Sequence, residues 1–343
     1  MIPFAFTHLL VELCAFLLSS PRIDVVSDHG SRYQWVQAIP QGNGREENRW
    51  QEGMWPNVHV QPVVLNDTLL IIGSRHTWKS SDGIQWKAFP HDGKWGTRYG
   101  ASHCVYDGKI WIMGGGKSWE RFENDLWASG DGLHWTLITP SAPWSARRGH
   151  AALVYEGKIW VVGGAESSGR PDVLPTRSLN DTWTSTDGKT WQRAGRNAPW
   201  QAEFSNAFFS TSMSAHIFGG KLWVLGGPLG NGVWNSTDGD QWTKAAKHAS
   251  WAPRYARGTC VFDNMLWVFG GPGLNDVWYS RDGKSWEQLT NAPWSPRAPG
   301  YTVVFKNRMW MFGGKTGRSG EGDRGDDVWF LQASSTPPVR TSR

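Results

Sequence analysis

Arginine recurs at one fixed place in this chain. Arg98, Arg147, Arg254 and Arg297 each stand sixteen residues ahead of the first glycine closing an apolar run, at Gly114, Gly163, Gly270 and Gly313. The same spacing in two further repeats falls on Asn57 and Ser210. Arg148, His150 and Arg257 follow within a few residues, and Glu203, in an inserted stretch, is the candidate acidic member of the set. A guanidinium presents a planar fork of donors that fits carboxylate or sulfate. A ring of such residues therefore reads as a cationic funnel for an acidic sugar or an acidic protein tail. The competing reading is architectural, with each fork bonding carbonyls of a neighbouring structural unit. Both readings stand at this stage.

A second pattern, Ser-x-Asp-Gly-x-x-Trp, occupies 80–86, 129–135, 185–191, 236–242 and 280–286. Catalytic signatures are rarely written five times. Asp-Gly suits a hairpin turn with positive φ, and the serine hydroxyl can bond local backbone. The motif therefore reads as a turn.

The elements that must hold these residues follow from the tryptophans. Trp78, Trp127, Trp183, Trp234, Trp278 and Trp329 are spaced 49, 56, 51, 44 and 51 residues apart, and the first five are followed eight residues later by another tryptophan. Ahead of each comes an apolar run ending in glycine, such as KIWIMGG (109–115) or MLWVFGG (265–271), and ahead of that another strand-like stretch. The unit is thus strand a, tight turn, strand b, Gly-Gly, variable loop, strand c, Ser-x-Asp-Gly turn, strand d. A four-stranded unit with a period near 50 buries both faces only by radial packing, the logic of a β-propeller. Of 25 tryptophans, 24 fall on repeat positions, where large rings fill the wedge between twisted sheets.

The sixth unit ends at 326–332 without its strand d. A stretched copy of the turn and strand lies at the other end, in 27–37, with Trp35 in the repeated place. The expected architecture is all-β: a six-bladed propeller of four-stranded antiparallel blades, closed by the N-terminal strand joining the C-terminal blade. Closure removes exposed sheet edges. The expected propeller spans 26–332, leaving 1–25 as a signal peptide or extension and 333–343 as a disordered tail.

The Gly-Gly pairs, the Asn-Asp pairs ahead of strand c (Asn124-Asp125, Asn180-Asp181, Asn275-Asp276) and the paired aromatics resemble the kelch repeat over about residues 30–332. The resemblance implies a kelch-type propeller, within a superfamily that includes galactose oxidase and whose members commonly scaffold protein interactions. The Ser-x-Asp-Gly turn also resembles the Asp-box hairpin of sialidase-type propellers, although here glycine directly follows aspartate. Six-bladed sialate mutarotases offer a second model, an acidic-sugar enzyme with Arg and Glu at the channel mouth.

Alternating strand direction sorts the loops. The a–b and c–d turns share one face and are uniformly short. The b–c loops and the d–a crossovers share the other, which carries insertions at 165–181, 315–327 and within 201–211. Variable loops on a repeated scaffold commonly carry binding. The candidate ligand-binding set is therefore Arg98, Arg147, Arg148, His150, Glu203, Arg254, Arg257, Arg297 and Trp119, the last being the one tryptophan off the repeat. Trp119 reads as a sugar-stacking platform or as a plug under its loop; Phe204, Phe208 and Phe209 read as a lid or partner patch.

Other functions are weakly represented. Net charge is +5, from 35 basic and 30 acidic residues, with no basic run of the kind that binds nucleic acid. Cys14, Cys104 and Cys260 fit neither a disulfide framework nor a zinc site. Cys104 and Cys260 occupy one repeat position in opposite blades, too far apart to pair. No copper-oxidase ligand set, cofactor or metal is expected, and a monomeric, non-enzymatic binding protein for a protein or acidic carbohydrate is the leading reading. The stretch 1–22 is apolar but lacks a cationic start, and His8 and Glu12 interrupt it. As an export signal it would place the protein outside the cytoplasm, and otherwise the protein is cytoplasmic. Beyond it, nothing approaches the ~20 apolar residues of a membrane span.

Overall fold

A computed structural model of the chain describes residues 24–26, 32–40, 62–118, 121–167, 177–200, 213–226, 230–317 and 324–334. Within them lie six antiparallel sheets, each built from consecutive strands except the last. Blade 2 shows the pattern: Ser102–Tyr106, Lys109–Gly116, Phe122–Ser129 and Thr136–Thr139 are its strands a to d, hydrogen-bonded in that order. Strand a of each blade runs beside strand a of the next from blade 1 round to blade 6, so strand a lines the centre. The chain forms a six-bladed β-propeller.

Blade 6 takes strands a to c from Arg297–Phe305, Arg308–Thr316 and Arg324–Ala333, and strand d from Tyr33–Ile39. The exchange keeps the register of the other blades. Trp329 faces Gln37, two residues after Trp35, as Trp183 faces Arg193, two residues after Trp191. The expected closure is therefore present. A short strand, Asp24–Val26, pairs outside Tyr33–Ile39 and makes this sheet five-stranded, so the sheet begins two residues ahead of the expected boundary at 26. Residues 1–23 and 335–343, on which the targeting and tail expectations rest, lie outside the described residues. No helix of the described residues is long and apolar enough to cross a membrane.

The hydrophobic core is divided among the seams. Six clusters of buried side chains each sit between two adjacent blades, and one of them joins Leu69, Ile71 and Trp78 of blade 1 to Phe305, Trp310 and Phe312 of blade 6. Aromatic pairs order each seam. The tryptophan leading into strand a meets the strand d tryptophan of the same blade edge to face: Trp95 with Trp135, Trp144 with Trp191, Trp251 with Trp286, Trp294 with Trp35. Such edge-to-face pairs contribute beyond the area they bury. Cys104 and Cys260 are free thiols inside this core, and burial pushes the Cys104 thiol up to about 12.

The five Ser-x-Asp-Gly motifs are the c–d turns. In blade 3, Ser185 Oγ accepts from the Gly188 amide at 2.8 Å, and Asp187 Oδ1 accepts from the Lys189 and Thr190 amides at 2.8 and 2.7 Å. Trp191 Nε1 then donates to the Gly188 carbonyl at 3.1 Å. The same bonds recur in the other four motifs and close each turn.

Candidate binding face

The two faces differ in kind. All six a–b turns are two-residue hairpins with both central residues at positive φ, from Asn66-Asp67 to Lys306-Asn307. That is the turn whose twist matches the flanking strands. With the c–d turns they make one face of closed hairpins. The b–c loops and crossovers form the opposite face, and strand a delivers the arginines to it.

Arg98, Arg147, Arg254 and Arg297 are buried, with 1%, 0%, 4% and 1% of their surface exposed. Each guanidinium meets an aspartate that the sequence places ahead of strand c and the structure places within it, in the same blade: Asp125, Asp181, Asp276 and Asp327 respectively. Arg147 Nη1 reaches Asp181 Oδ1 at 2.7 Å and Nη2 reaches Oδ2 at 3.0 Å, a bidentate pair. Its Nη1 also donates to the Gly163 carbonyl at 2.9 Å, and its Nε to the Ser145 carbonyl at 3.1 Å. Burial works to raise the Asp181 carboxyl, but the Arg147 guanidinium, helped by Trp183 and Arg193, holds it below the ordinary carboxylate range. The second oxygen of each aspartate accepts from the strand c indole: Trp127, Trp183, Trp278 and Trp329. An Arg–Asp–Trp clamp therefore ties strand a to strand c in four blades. The expected architectural bonds to a neighbouring blade are instead bonds within one blade.

The asparagine one residue before that position does a different job. Asn124 Nδ2 donates to the Ala142 and Trp144 carbonyls, and Asn231 to those of Ala249 and Trp251. Strand c thus fixes the crossover into the following blade.

Blades 1 and 4 lack the clamp. Where the others carry aspartate, they carry His76 and Gly232. The glycine carbonyl bonded by the clamp arginine elsewhere finds another donor in both. His91 Nε2 lies 2.9 Å from the Gly73 carbonyl in blade 1. In blade 4, Arg257 reaches across from blade 5 to the Gly226 and Leu225 carbonyls. Arg257, expected at the mouth as a ligand contact, spans the seam between blades 4 and 5.

Arg148 and His150 sit at the seam between blades 2 and 3. The Arg148 guanidinium lies between two rings of blade 2, 5.2 Å from the centre of Tyr99 and 5.1 Å from that of Phe122. Burial lowers its affinity for the proton and Tyr99 opposes that effect. His150 is 4% exposed, beside Trp144, and neither ring nitrogen has a hydrogen-bond partner among the described residues. Burial, followed by the charge of Arg147, lowers its imidazole to about 3. Backbone bonds run round the mouth here, Met213 N to the Gly149 carbonyl and Gly149 N to the Gly100 carbonyl, both at 2.7 Å. Glu203 and Trp119 lie outside the described residues, as do Phe204, Phe208, Phe209 and most of the expected insertions. No group of three or more metal-ligating side chains occurs among the described residues.

His150 makes acid stability testable. His103 and His216, near the centre of the ring, are also lowered, each to about 4, chiefly by burial. An imidazole with a folded value below the unfolded ~6.5 contributes stability above that value. The contribution is lost as pH falls from ~6.5 through the folded values. Urea unfolding should therefore show stability falling between about pH 6.5 and 5, above the range where carboxylates titrate. His150→Ala, which installs the residue that blade 2 carries as Ala101, should make that fall shallower by about one proton. An unchanged slope in the variant would remove His150 from the account.

No family model matches the chain, and no curated protein matches it. Among solved structures, 578 chains are similar. One of them, titled "Structure of YjhT", aligns with a TM-score of 0.64 over 88% of this chain and 98% of its own, at 18% sequence identity. The likeness is one of fold. It extends over nearly the whole of that protein.

Proposed function

We propose that the protein is a kelch-type binding propeller that engages a protein partner through the face made by the b–c loops and the d–a crossovers. One observation carries this reading: the opposite face consists of short closed hairpins, two-residue a–b turns and self-bonded c–d turns, whereas the long insertions of the sequence fall on the loop face. The kelch-type assignment draws support from the jobs of its motif residues, with Gly-Gly accepting from the clamp arginine and Asn-Asp dividing crossover and clamp between them.

The acidic-sugar alternative has less support. It drew on a ring of arginines, and four of those guanidiniums already face a carboxylate within their own blade. Its remaining cations are Arg148, set between two aromatic rings, and Arg257, which bonds backbone carbonyls.

Panning a displayed random-peptide library on the whole chain, alongside a panel of sialate and uronate sugars, tests the choice. Enriched peptides should lose binding when 168–176 is replaced by a short Gly-Ser link, and keep it when the Asp107-Gly108 turn on the hairpin face becomes Asn-Gly. Peptides that respond only to the second change, or a panel in which acidic sugars bind and no peptide does, would overturn the proposal.

A further inference from the structure

The outer wall of the propeller carries a groove that the repeat alone does not explain. It lies between the end of strand d and the following crossover of blade 3 and the c–d turn of blade 4, has a volume of about 550 Å³, and is lined by Arg193, Arg196, Asn197, Asp240, Gln241 and Trp242 among others. We propose that this groove binds an anionic oligosaccharide, with the exposed part of Trp242 as stacking surface and Arg193 and Arg196 as the anion contacts.

The local sequence builds the groove. Gly195 ends strand d of blade 3, and a Cβ there would fall 2.4 Å from the Gly239 carbonyl oxygen of the blade 4 turn. With glycine in place the strand end rests on that turn, which sets Arg196 and Asn197 alongside Asp240 and Gln241. Blade 2 carries Thr139 at the same position, where its hydroxyl donates to the Gly188 carbonyl. Trp242 is half-buried, more open than Trp135, Trp191 and Trp286 in the same repeat position, and its inner part is held edge to face by Trp200 at 4.3 Å.

The chemistry of the lining points to one class of ligand. A flat apolar ring beside planar hydrogen-bonding groups suits a pyranose, which presents C–H bonds on one side and hydroxyls round its edge. Gln241 Nε2 donates to Asp240 Oδ2 at 3.1 Å, which orients a carboxylate and an amide oxygen as acceptors for hydroxyls. Arg193 is held over the Trp183 ring at 5.3 Å and 3.5 Å from Asp181, while Arg196 is exposed. Asp181 beside Arg193 is already matched by the bidentate Arg147, so Arg193 and Arg196 against Asp240 leave the groove cationic, and sulfate or uronate groups complement it. The site is separate from the channel mouth and does not depend on the partner reading of the loop face.

Calorimetric titration of the whole chain with a heparin-derived hexasaccharide, and with cellohexaose as an uncharged comparator, is the test. The sulfated probe should bind and cellohexaose should bind much more weakly. Arg196→Glu should weaken the sulfated probe by at least about tenfold, the value of a lost charge-assisted contact. Lys221→Glu makes the same charge change on an exposed residue of the hairpin face and should leave affinity within about twofold. Gln241→Ala should cost several-fold at unchanged net charge. Failure of the sulfated probe to bind, equal losses in Arg196→Glu and Lys221→Glu, or equal affinity for cellohexaose would each overturn the proposal.

Discussion

Asp181→Ala is expected to lower the stability of the propeller by about 3–5 kcal/mol, the usual consequence of removing one member of a buried ion pair. The loss comes from what remains behind. Arg147 has 0% of its surface exposed, and the carboxylate that balances it accepts from both of its terminal nitrogens. Without Asp181, a buried guanidinium keeps only the Ser145 and Gly163 groups as hydrogen-bond partners, besides the face of Trp144, and the Trp183 indole loses the acceptor it meets at 2.7 Å. The double variant Arg147→Met/Asp181→Leu removes both charges and refills the volume, so it should be far closer to wild type, within about 1–2 kcal/mol. Urea unfolding of the three proteins measures both numbers and their coupling. A clamp requires the single variant to be much worse than the double. If Asp181→Ala were as stable as wild type, the arginine recurrence would have to be explained by binding after all.

The fold was legible in the chain because one residue type marked each layer of it. Tryptophan at a period near 50, with a second ring eight residues on, set both the blade count and the place of strand c against strand d, and Trp35 betrayed the displaced strand that closes the ring. The arginines were legible as a pattern and ambiguous as a function. Their sixteen-residue offset from a glycine is the span that Nη1 of Arg98, Arg147 and Arg254 bridges to the carbonyl of that glycine. The clue to the clamp was also present in the sequence: aspartate stands two residues before the strand c tryptophan in blades 2, 3, 5 and 6, where arginine occurs, and is replaced in blades 1 and 4, where it does not. That link is hard to read because its separation varies, being 27, 34, 22 and 30 residues, as the b–c loop changes length between the partners. The substitutes His91 and Arg257 could not be foreseen at all, since they act across crossovers and seams set only by packing. The groove at the outer wall is of the same kind: it depends on how far Gly195 lets blade 3 lean on the turn of blade 4.

Gly188→Ala should be a severely damaging single methyl, for reasons that can be separated. Gly188 has φ of 71°, and alanine in that conformation costs about 1–2 kcal/mol by itself. Its Cβ would also lie 2.2 Å from Cζ3 of Trp111, the strand b indole of blade 2, which is 5% exposed and has no room to withdraw. Overpacking of that kind adds about 1–3 kcal/mol. The carbonyl of Gly188 further accepts from Trp191 Nε1 and from Thr139 Oγ1, so movement to relieve the clash strains two hydrogen bonds, one of them across the seam. Gly157→Ala isolates the first contribution, because Gly157 has a φ of 67° with nothing within 4 Å of the added atom. The difference between the two variants, measured by thermal or urea unfolding, is then the cost of intruding on the tryptophan. Blade 1 shows how the chain itself avoids that cost, with Leu70 standing where Trp111 does and facing Gly132. Trp111→Leu should accordingly be less harmful in the Gly188→Ala background than in wild type, because a leucine end can turn aside where an indole cannot. Strict additivity of the two substitutions would mean that the turn glycine is kept for its backbone conformation alone and that the seam does not sense it.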